Sequence, residues 1–391
     1  MNRKDFISRM GVFCASAVVT PIVLKASVRQ AESKRVAKKI RVGIIGCGSV
    51  SGVYLPHLSK SPYAEVVSLC DIKIERARQR AERFNIKNYY PNINEMLSGV
   101  PFELLLNLTD MQQHGLLNRQ ALMAKKYVWS EKPMANTYKE GRALYELAIK
   151  QGVRIWGAPA VVNSPQFAFM AKQINAKSLG RIAAVHAHYG HDGPDWSAFF
   201  YEKDGGSLPD LGVYNISSLT GLLGPAKSLV AMTNVVTPER KVRDKGQIKV
   251  VAEDNSMIIL EHQNNILSHI QCGFNYFNPH GHDGSGEVRP TISIIGSEGN
   301  MNMIGYDWQP LGVELATVKN PKLQLLETDS KGFQWQEGAS AICEYLSTGK
   351  EPLIDAEHAL HVLEIIEATR LSQQQGKRIQ LKSNFKWPII T

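Results

Sequence analysis

Three groups of residues in this sequence have types and spacings that suit chemistry. The first is Gly46-x-Gly48-x-x-Ser51, which follows a β-branched run at 40–45 and opens a helix-like stretch. In a strand-to-helix turn the first glycine allows the tight bend and the second lets the backbone approach a pyrophosphate. The helix start adds N–H groups and the positive end of its dipole. Asp71, 19 residues beyond Gly52, closes a second strand-like run (65–71) where a dinucleotide fold wants a carboxylate for ribose hydroxyls. That carboxylate favours NAD over NADP, although Arg76 leaves room for some NADP use, and Asp71 also suits a helix N-cap. The second group is the stretch 185–196, VHAHYGHDGPDW. His186, His188, His191 and Asp192 are metal-ligand types. They are equally groups that hydrogen-bond a polyhydroxylated ligand, with Trp196 or Tyr201 as the platform under a sugar ring. The tetrapeptide Gly-His-Asp-Gly occurs at 190–193 and again at 281–284. The third group is Asp210 and Tyr214, four apart in a helix-like segment, so that a carboxylate and a phenol share one face about a turn apart.

These residues need elements to hold them. Strand-like runs at 40–45, 65–71, 103–109 and 127–131 alternate with helix-like runs such as 116–125, which predicts a doubly wound parallel sheet of the Rossmann type. From about residue 158 the pattern changes to short β-branched strands at 181–189, 229–236, 248–251, 256–262, 266–274 and 291–295, with few helices. We expect an α/β fold: a Rossmann domain at 40–157, then an α+β domain at 158–391 with a large open, mainly antiparallel sheet and a C-terminal helix at about 356–375. One sheet face would pack on helices and the other would be available to a partner subunit. The five cysteines form no C-x-x-C pair, and we expect no structural disulfide.

Residues 1–28 read as a signal peptide: Arg3, Lys4 and Arg9, then a 13-residue apolar run, then Ala26-Ser27-Val28. The apolar run is too short to span a bilayer, and nothing later is long and apolar enough to do so. Arg3-Lys4-Asp5-Phe6 resembles a twin-arginine signal with Lys in the second position, so a periplasmic or otherwise exported protein is expected, followed by a basic tether at 29–39. The chain carries 45 Lys+Arg against 36 Asp+Glu, a net +9 that on its own suggests nucleic acid or anionic lipid. Ten of those basic residues and only two of the acids lie in residues 1–41, so +8 belongs to the leader and tether. A nearly neutral body argues against nucleic acid as a partner.

Glu131-Lys132-Pro133 follows a strand and is preceded by a Thr109…His114 turn and the glycine-rich start. Further on stand GGSLPDLGVYNISSLTGLLG at 205–224, Ile294-Ile-Gly-Ser-Glu-Gly299, and Asp355-Ala-Glu-His with an amphipathic run behind it. Together, over residues 40–382, these motifs resemble the Gfo/Idh/MocA oxidoreductase family, in the branch that includes glucose–fructose oxidoreductase.

The resemblance implies an NAD cofactor held by Gly46, Gly48, Ser49, Val50, Ser51, Asp71, Arg76, Leu108, Thr109, His114, Glu131 and Lys132. It implies that Lys132, Asp210 and Tyr214 are catalytic, with Lys132 beside the nicotinamide. A lysine there can accept a hydroxyl proton or stabilise a developing alkoxide. The family often has His at the second position of the Asp…His pair; Tyr214 stands there in this chain and would relay or donate the proton, with Lys132 lowering its pKa. Substrate contacts would come from Asn163, His188, His191, Asp192, Trp196, Tyr201, Asp210, Tyr214 and His280, without a metal, because hydride chemistry needs none. The expected substrate is a sugar, glycoside or cyclitol oxidised at a secondary alcohol, and the expected assembly is a homodimer or tetramer through the C-terminal sheet. Because an envelope compartment lacks free NAD, an exported enzyme would retain its NAD(H) tightly. A glycoside-cleaving enzyme that oxidises transiently and eliminates the aglycone is the alternative, and a sugar- or NAD-sensing protein that has lost turnover is a third reading.

Overall fold

The computed structural model describes residues 38–279 and 286–391; the leader, the tether as far as residue 37, His280 and the second Gly-His-Asp-Gly lie outside the described residues. Six strands, β1 (Ile40–Ile45), β2 (Ala64–Cys70), β3 (Asn88–Tyr90), β4 (Leu104–Asn107), β5 (Tyr127–Ser130) and β6 (Ile155–Gly157), form an all-parallel sheet in the order β3-β2-β1-β4-β5-β6. The runs IRVGII and LLLN are apolar almost throughout because such strands are buried on both faces. Helices α1 (Ser51–Leu58), α2 (Ile74–Phe84), α3 (Ile93–Ser98), α4 (His114–Met123) and α5 (Tyr138–Gln151) make the crossovers. Strand order reverses between β1 and β4, so their carboxyl ends frame the crevice where ligands bind in sheets of this kind.

The second sheet uses β7 (Ile182–Gly190), β8 (Ala226–Asn234) and β11–β17, namely Asn255–His262, Leu267–Gly273, Pro290–Gly296, Gly299–Ile304, Gly312–Thr317, Asn320–Leu326 and Ile379–Gln380. A separate hairpin pairs β9 (Glu239–Val242) with β10 (Gly246–Lys249). The nine-stranded order is β16-β15-β14-β13-β7-β12-β11-β8-β17, antiparallel except for the β7–β12 pair. Helices α6 (Pro165–Asn175), α7 (Val213–Leu223) and α9 (Ala356–Gln375) lie to one side of it, and α8 (Glu337–Thr348) packs on α1 and β1. Helix α9 joins the two halves: Leu360 and Leu363 pack with Leu144 and Ala148 of the parallel-sheet core, while Val362, Ile365 and Ile366 belong to the larger core.

Period-two alternation gives the other face of the large sheet two rows of side chains, because partners in register stand opposite one another. One runs Val230–Ile259–His269–His186 and the next Met232–Met257–Gln271–His188. Val230, Met232, Met257 and Ile259 are exposed there.

Three histidines lie in the core where α7, β8 and α9 meet. His361 Nε2 accepts the Ala226 N–H at 2.9 Å, which requires that nitrogen to be unprotonated, and its Nδ1 lies 2.7 Å from Ser383 Oγ. His358 Nε2 is 2.8 Å from Thr220 Oγ1, and His262 sits between Gly224 O and Ser268 Oγ. Burial lowers all three, His262 and His358 to about 4 and His361 to about 3. As pH falls below 6.5 the unfolded chain protonates these rings and the native state does not, so stability is lost. Two buried acids raised by desolvation, Glu253 to about 7 and Asp307 to about 6, take up protons in the native state and oppose that loss. The histidines win by number: between pH 7 and pH 5 the net loss is on the order of 2 kcal/mol. Thermal melts should show Tm falling over this interval, and a flat or rising Tm would contradict the assignment.

Candidate active site

The crevice begins at Gly46, whose N–H is bonded to Cys70 O at 2.9 Å and whose φ is +92°. A Cβ there would stand 2.5 Å from the carbonyl carbon and oxygen of Leu108, so only glycine lets the β1 and β4 turns come this close. Gly48 is the opposite case: a Cβ built on it meets nothing within 4 Å, which leaves its backbone open to an approaching group. Ser51 Oγ donates to Gly48 O at 2.7 Å and closes the turn, and α1 begins after Ser49 and Val50 with no side-chain cap. Asp71 is fixed to this turn, its Oδ2 accepting from Cys47 N and its Oδ1 from Lys73 N, both at 2.8 Å. Each oxygen keeps a lone pair for a further hydroxyl.

These residues fit a dinucleotide: an open backbone and an uncapped helix start for the pyrophosphate, and a fixed carboxylate for ribose hydroxyls, where a 2′-phosphate would be repelled. Arg80 on α2 donates to Gly48 O at 3.2 Å, a cation at the cradle that sequence reading passed over. It stands four residues after Arg76, and that i,i+4 spacing on one helix face was the available signal. At the end of β4, Thr109 Oγ1 donates to Asn107 Oδ1 at 2.7 Å. The His114 ring lies between Thr109 O (2.9 Å) and Pro133 O (2.7 Å), with burial lowering its pKa, and it ties this turn to the Glu131-Lys132-Pro133 loop.

That loop carries the charged centre. Lys132 Nζ donates to Asp210 Oδ1 at 2.6 Å and to Asp210 O at 2.9 Å, an ion pair with both side chains under 15% exposed (14% and 12%). With two of the three ammonium hydrogens committed, one N–H remains for another acceptor. Glu131 sits beneath: Oε2 accepts the Lys132 N–H at 3.0 Å, and Oε1 accepts the Tyr54 hydroxyl at 2.7 Å, which itself accepts from Trp129 Nε1 at 3.1 Å. Asp210 lies in a π-helical turn, Leu208–Gly212, that runs directly into α7. Such turns re-aim side chains and recur at functional sites.

The Tyr214 ring faces Lys132, whose Nζ is 5.3 Å from its centroid. Its phenol is pushed well above its ordinary pKa, first by burial and then by the charges of Glu131, Asp210 and Asp307. The expectation that Lys132 lowers this pKa is therefore reversed: burial, reinforced by three carboxylates, raises it, and Tyr214 at neutral pH is a proton donor.

Of the residues expected to meet substrate, the structure gathers Asp210 and Tyr214 at Lys132 and distributes the rest. Tyr189 on β7, not anticipated, packs its ring 6.0 Å from Tyr214 and 4.1 Å from Tyr306. His191, one residue past β7, is buried, stacks on Phe274, and accepts the Gly193 N–H through Nδ1 at 3.0 Å. Asp192 is exposed, and its carbonyl is held by Arg240 at 2.7 Å. Trp196 packs on Phe200, and Tyr201 is buried as a brace, its hydroxyl donating to Pro194 O at 2.7 Å. Asn163 bonds to Glu337. His188 and His186 share a face, as the alternation requires, but it is the outer face, where His186 meets His269 and His188 feels Arg289 and Glu287. Val185, Ala187 and Tyr189 take the inner one. Among the described residues no group of three or more His, Cys, Asp or Glu is placed to hold a metal.

A second bridge between the halves also escaped the sequence: Gln112, in the turn after β4, donates to Phe199 O (2.9 Å) and Lys203 O (3.2 Å).

A switch-point cradle for a dinucleotide in the parallel sheet, with a lysine after β5 paired to a carboxylate and faced by a phenol from the helix of the second domain, defines an NAD-binding dehydrogenase. Residues 40–158 match the model of the oxidoreductase family with an NAD-binding Rossmann fold, and residues 167–302 match the GFO/IDH/MocA C-terminal domain. The chain is 23% identical over 363 residues to D-apiose dehydrogenase of Paraburkholderia graminis (88% of this chain, 91% of that one). It is 23% identical over 344 residues to bovine trans-1,2-dihydrobenzene-1,2-diol dehydrogenase (83% and 95%). Among solved structures, levoglucosan dehydrogenase in complex with NADH and L-sorbose superposes with a TM-score of 0.76 at 18% identity, covering 88% of this chain and 100% of that one. The chain belongs to the Gfo/Idh/MocA oxidoreductase family, and it is an NAD-dependent oxidoreductase acting on CH–OH groups.

Proposed function

We propose that this protein is an exported oxidoreductase that oxidises a secondary alcohol of a sugar, glycoside or cyclitol and retains its dinucleotide through the cycle. The observation that carries this reading is the Lys132–Asp210 pair at 2.6 Å, which joins the loop after β5 of the parallel sheet to the helical turn that begins α7. NAD⁺, when bound, supplies the acceptor for the two electrons and one hydrogen that leave the substrate carbon. For oxidation Lys132 passes one proton to Asp210 Oδ1, and the lone pair freed on Nζ accepts the alcohol proton, which restores the ammonium beside the reacting oxygen as hydride leaves the carbon. Tyr214, a neutral phenol, gives a second hydrogen bond to that oxygen in both directions.

The carbohydrate class is supported by relatives named for D-apiose, for a 1,2-diol and for levoglucosan. Hydroxyl-rich ligands also suit a site beside the packed rings of Tyr189, Tyr306 and Trp308, which meet Tyr214 through Tyr189. Export is supported by the basic, then apolar, then small-residue order of the first 28 residues. Self-association through the large sheet is supported by the exposed Val230, Met232, Met257 and Ile259 in two neighbouring rows of its outer face.

Denaturing the purified full-length chain and weighing what it releases, alongside absorbance at the NADH band with aldoses, glycosides and inositols, tests the reading. A stoichiometric dinucleotide and turnover of at least one sugar or cyclitol is the expected result. A dinucleotide-free protein silent toward the whole panel would overturn it. Release of an aglycone without net NADH would instead establish the eliminative reaction.

A further inference from the structure

The helix that carries Asp210 and Tyr214 has no cap of its own, since no side chain within its first turn bonds its N–H groups. A carboxylate 45 positions away takes that place. Glu253, just before β11, accepts the Leu208 N–H through Oε1 at 2.8 Å, and through Oε2 accepts the hydroxyls of Ser207 (2.6 Å) and Ser256 (3.1 Å). Its carbonyl accepts the Ser207 N–H at 3.1 Å. The approach is so close that Gly206, at φ +116°, has no room for a Cβ: it would strike Glu253 Oε1. From the other side Arg370 of α9 donates to Gly205 O at 3.0 Å. The adjacent Asp254 is fully buried, accepts the Val236 and Thr237 N–H groups, and lies 3.9 Å from Arg240, which holds the Asp192 carbonyl.

We propose that Glu253 is a positioning residue for the catalytic pair: by anchoring the first turn of the helix it fixes Asp210 where Lys132 meets it. This rests on the reading that Lys132 and Asp210 are the catalytic groups. The physical case is that a carboxylate at a helix start is favoured by the dipole and by the orphan N–H groups there. Asp210 sits only two residues into the turn that Glu253 grips at Leu208. A shift of even an ångström at that point breaks a 2.6 Å pair whose partner is on another sheet. Groups facing Glu253 that carry or can carry charge are Arg370 on α9, Cys272 on β12, and Tyr276 beyond β12. Desolvation raises the carboxyl to about 7, so it titrates in the working range.

The test compares Glu253→Ala, Glu253→Gln and Lys132→Ala in the full-length chain, using the sugar or cyclitol most active in the panel above. For Glu253→Ala we expect kcat to fall about tenfold or more while the KM for that sugar and the Kd for NADH stay within about threefold. Amide exchange over residues 207–214 should quicken without a matching loss of global melting temperature. Glu253→Gln, which keeps an oxygen for the Leu208 N–H, should recover most of kcat and restore slow amide exchange over residues 207–214. Unchanged kcat in Glu253→Ala, or a loss of kcat tracked equally by NADH affinity and global stability, would overturn the proposal. An active Lys132→Ala would instead remove the reading beneath it, so the two failures are distinguishable.

Discussion

Replacing Lys132 by alanine is expected to lower kcat about 10³-fold or more while leaving the Kd for NADH within about threefold. The amine bonds to Asp210 O and Oδ1, not to the glycine turn or Asp71, so its loss removes chemistry and spares the cradle. The variant also leaves the Asp210 carboxylate without its cation in a site where that side chain is 12% exposed. An unpaired carboxylate of this kind is costly. It would take up a proton and stop acting as the final acceptor, so both arms of the relay fail together. Arginine at 132 should rescue poorly, because a planar guanidinium cannot give two hydrogens to one residue's carbonyl and carboxylate and a third to substrate from a single nitrogen. Steady-state rates beside NADH fluorescence titration check this, and a kcat within about threefold of wild type would refute it.

The second large effect belongs to Gly46→Ala, for which we expect NADH affinity to fall by about 100-fold or become unmeasurable. Two costs combine. The backbone at φ +92° is unfavourable for any residue with a Cβ by about 1–2 kcal/mol. That Cβ would also stand 2.5 Å from Leu108 backbone atoms, which cannot swing aside as a side chain can. The β1 and β4 turns must separate, and the crevice between them opens. Gly48→Ala supplies the contrast, because its Cβ meets no protein atom. Melting temperature should hold in Gly48→Ala and drop in Gly46→Ala, while both lose NADH affinity. Equal melting temperatures, or a Gly46→Ala variant that binds NADH normally, would show that the turn is not the cradle.

How much of this was legible in the sequence depends on the range of the interaction involved. The parallel sheet could be read because each strand and crossover is a local pattern, and Asp71 lies a fixed distance beyond its glycines. Asp210 and Tyr214 were legible for the same reason, being one helical turn apart. What could not be read is whatever depends on contacts between distant segments. The Glu253 anchor joins 207–208 to 253, and nothing local marks a carboxylate before a strand as the cap of a helix. The alternation in 185–189 correctly put His186 and His188 on one side, but a period of two cannot say which side faces α7, and Tyr189 took the inner one. Strand β16 escaped because NPKLQLL carries little of the β-branched signature and lies at the sheet edge, exposed along most of its length. Tyr214 failed in another way: the nearby cation was foreseen, but the burial of the ring, which is the largest cause of its raised pKa, depends on packing between distant segments.

The most direct test of the central claim follows one atom. The protein is given a sugar or cyclitol deuterated at the ring carbon that it oxidises, and the dinucleotide released on denaturation is weighed after a single turnover. The account predicts a reduced dinucleotide one mass unit heavier than ordinary NADH, formed by the wild type and absent in Lys132→Ala. Oxidised product with no deuterium in the dinucleotide, or equal transfer in Lys132→Ala, would contradict it.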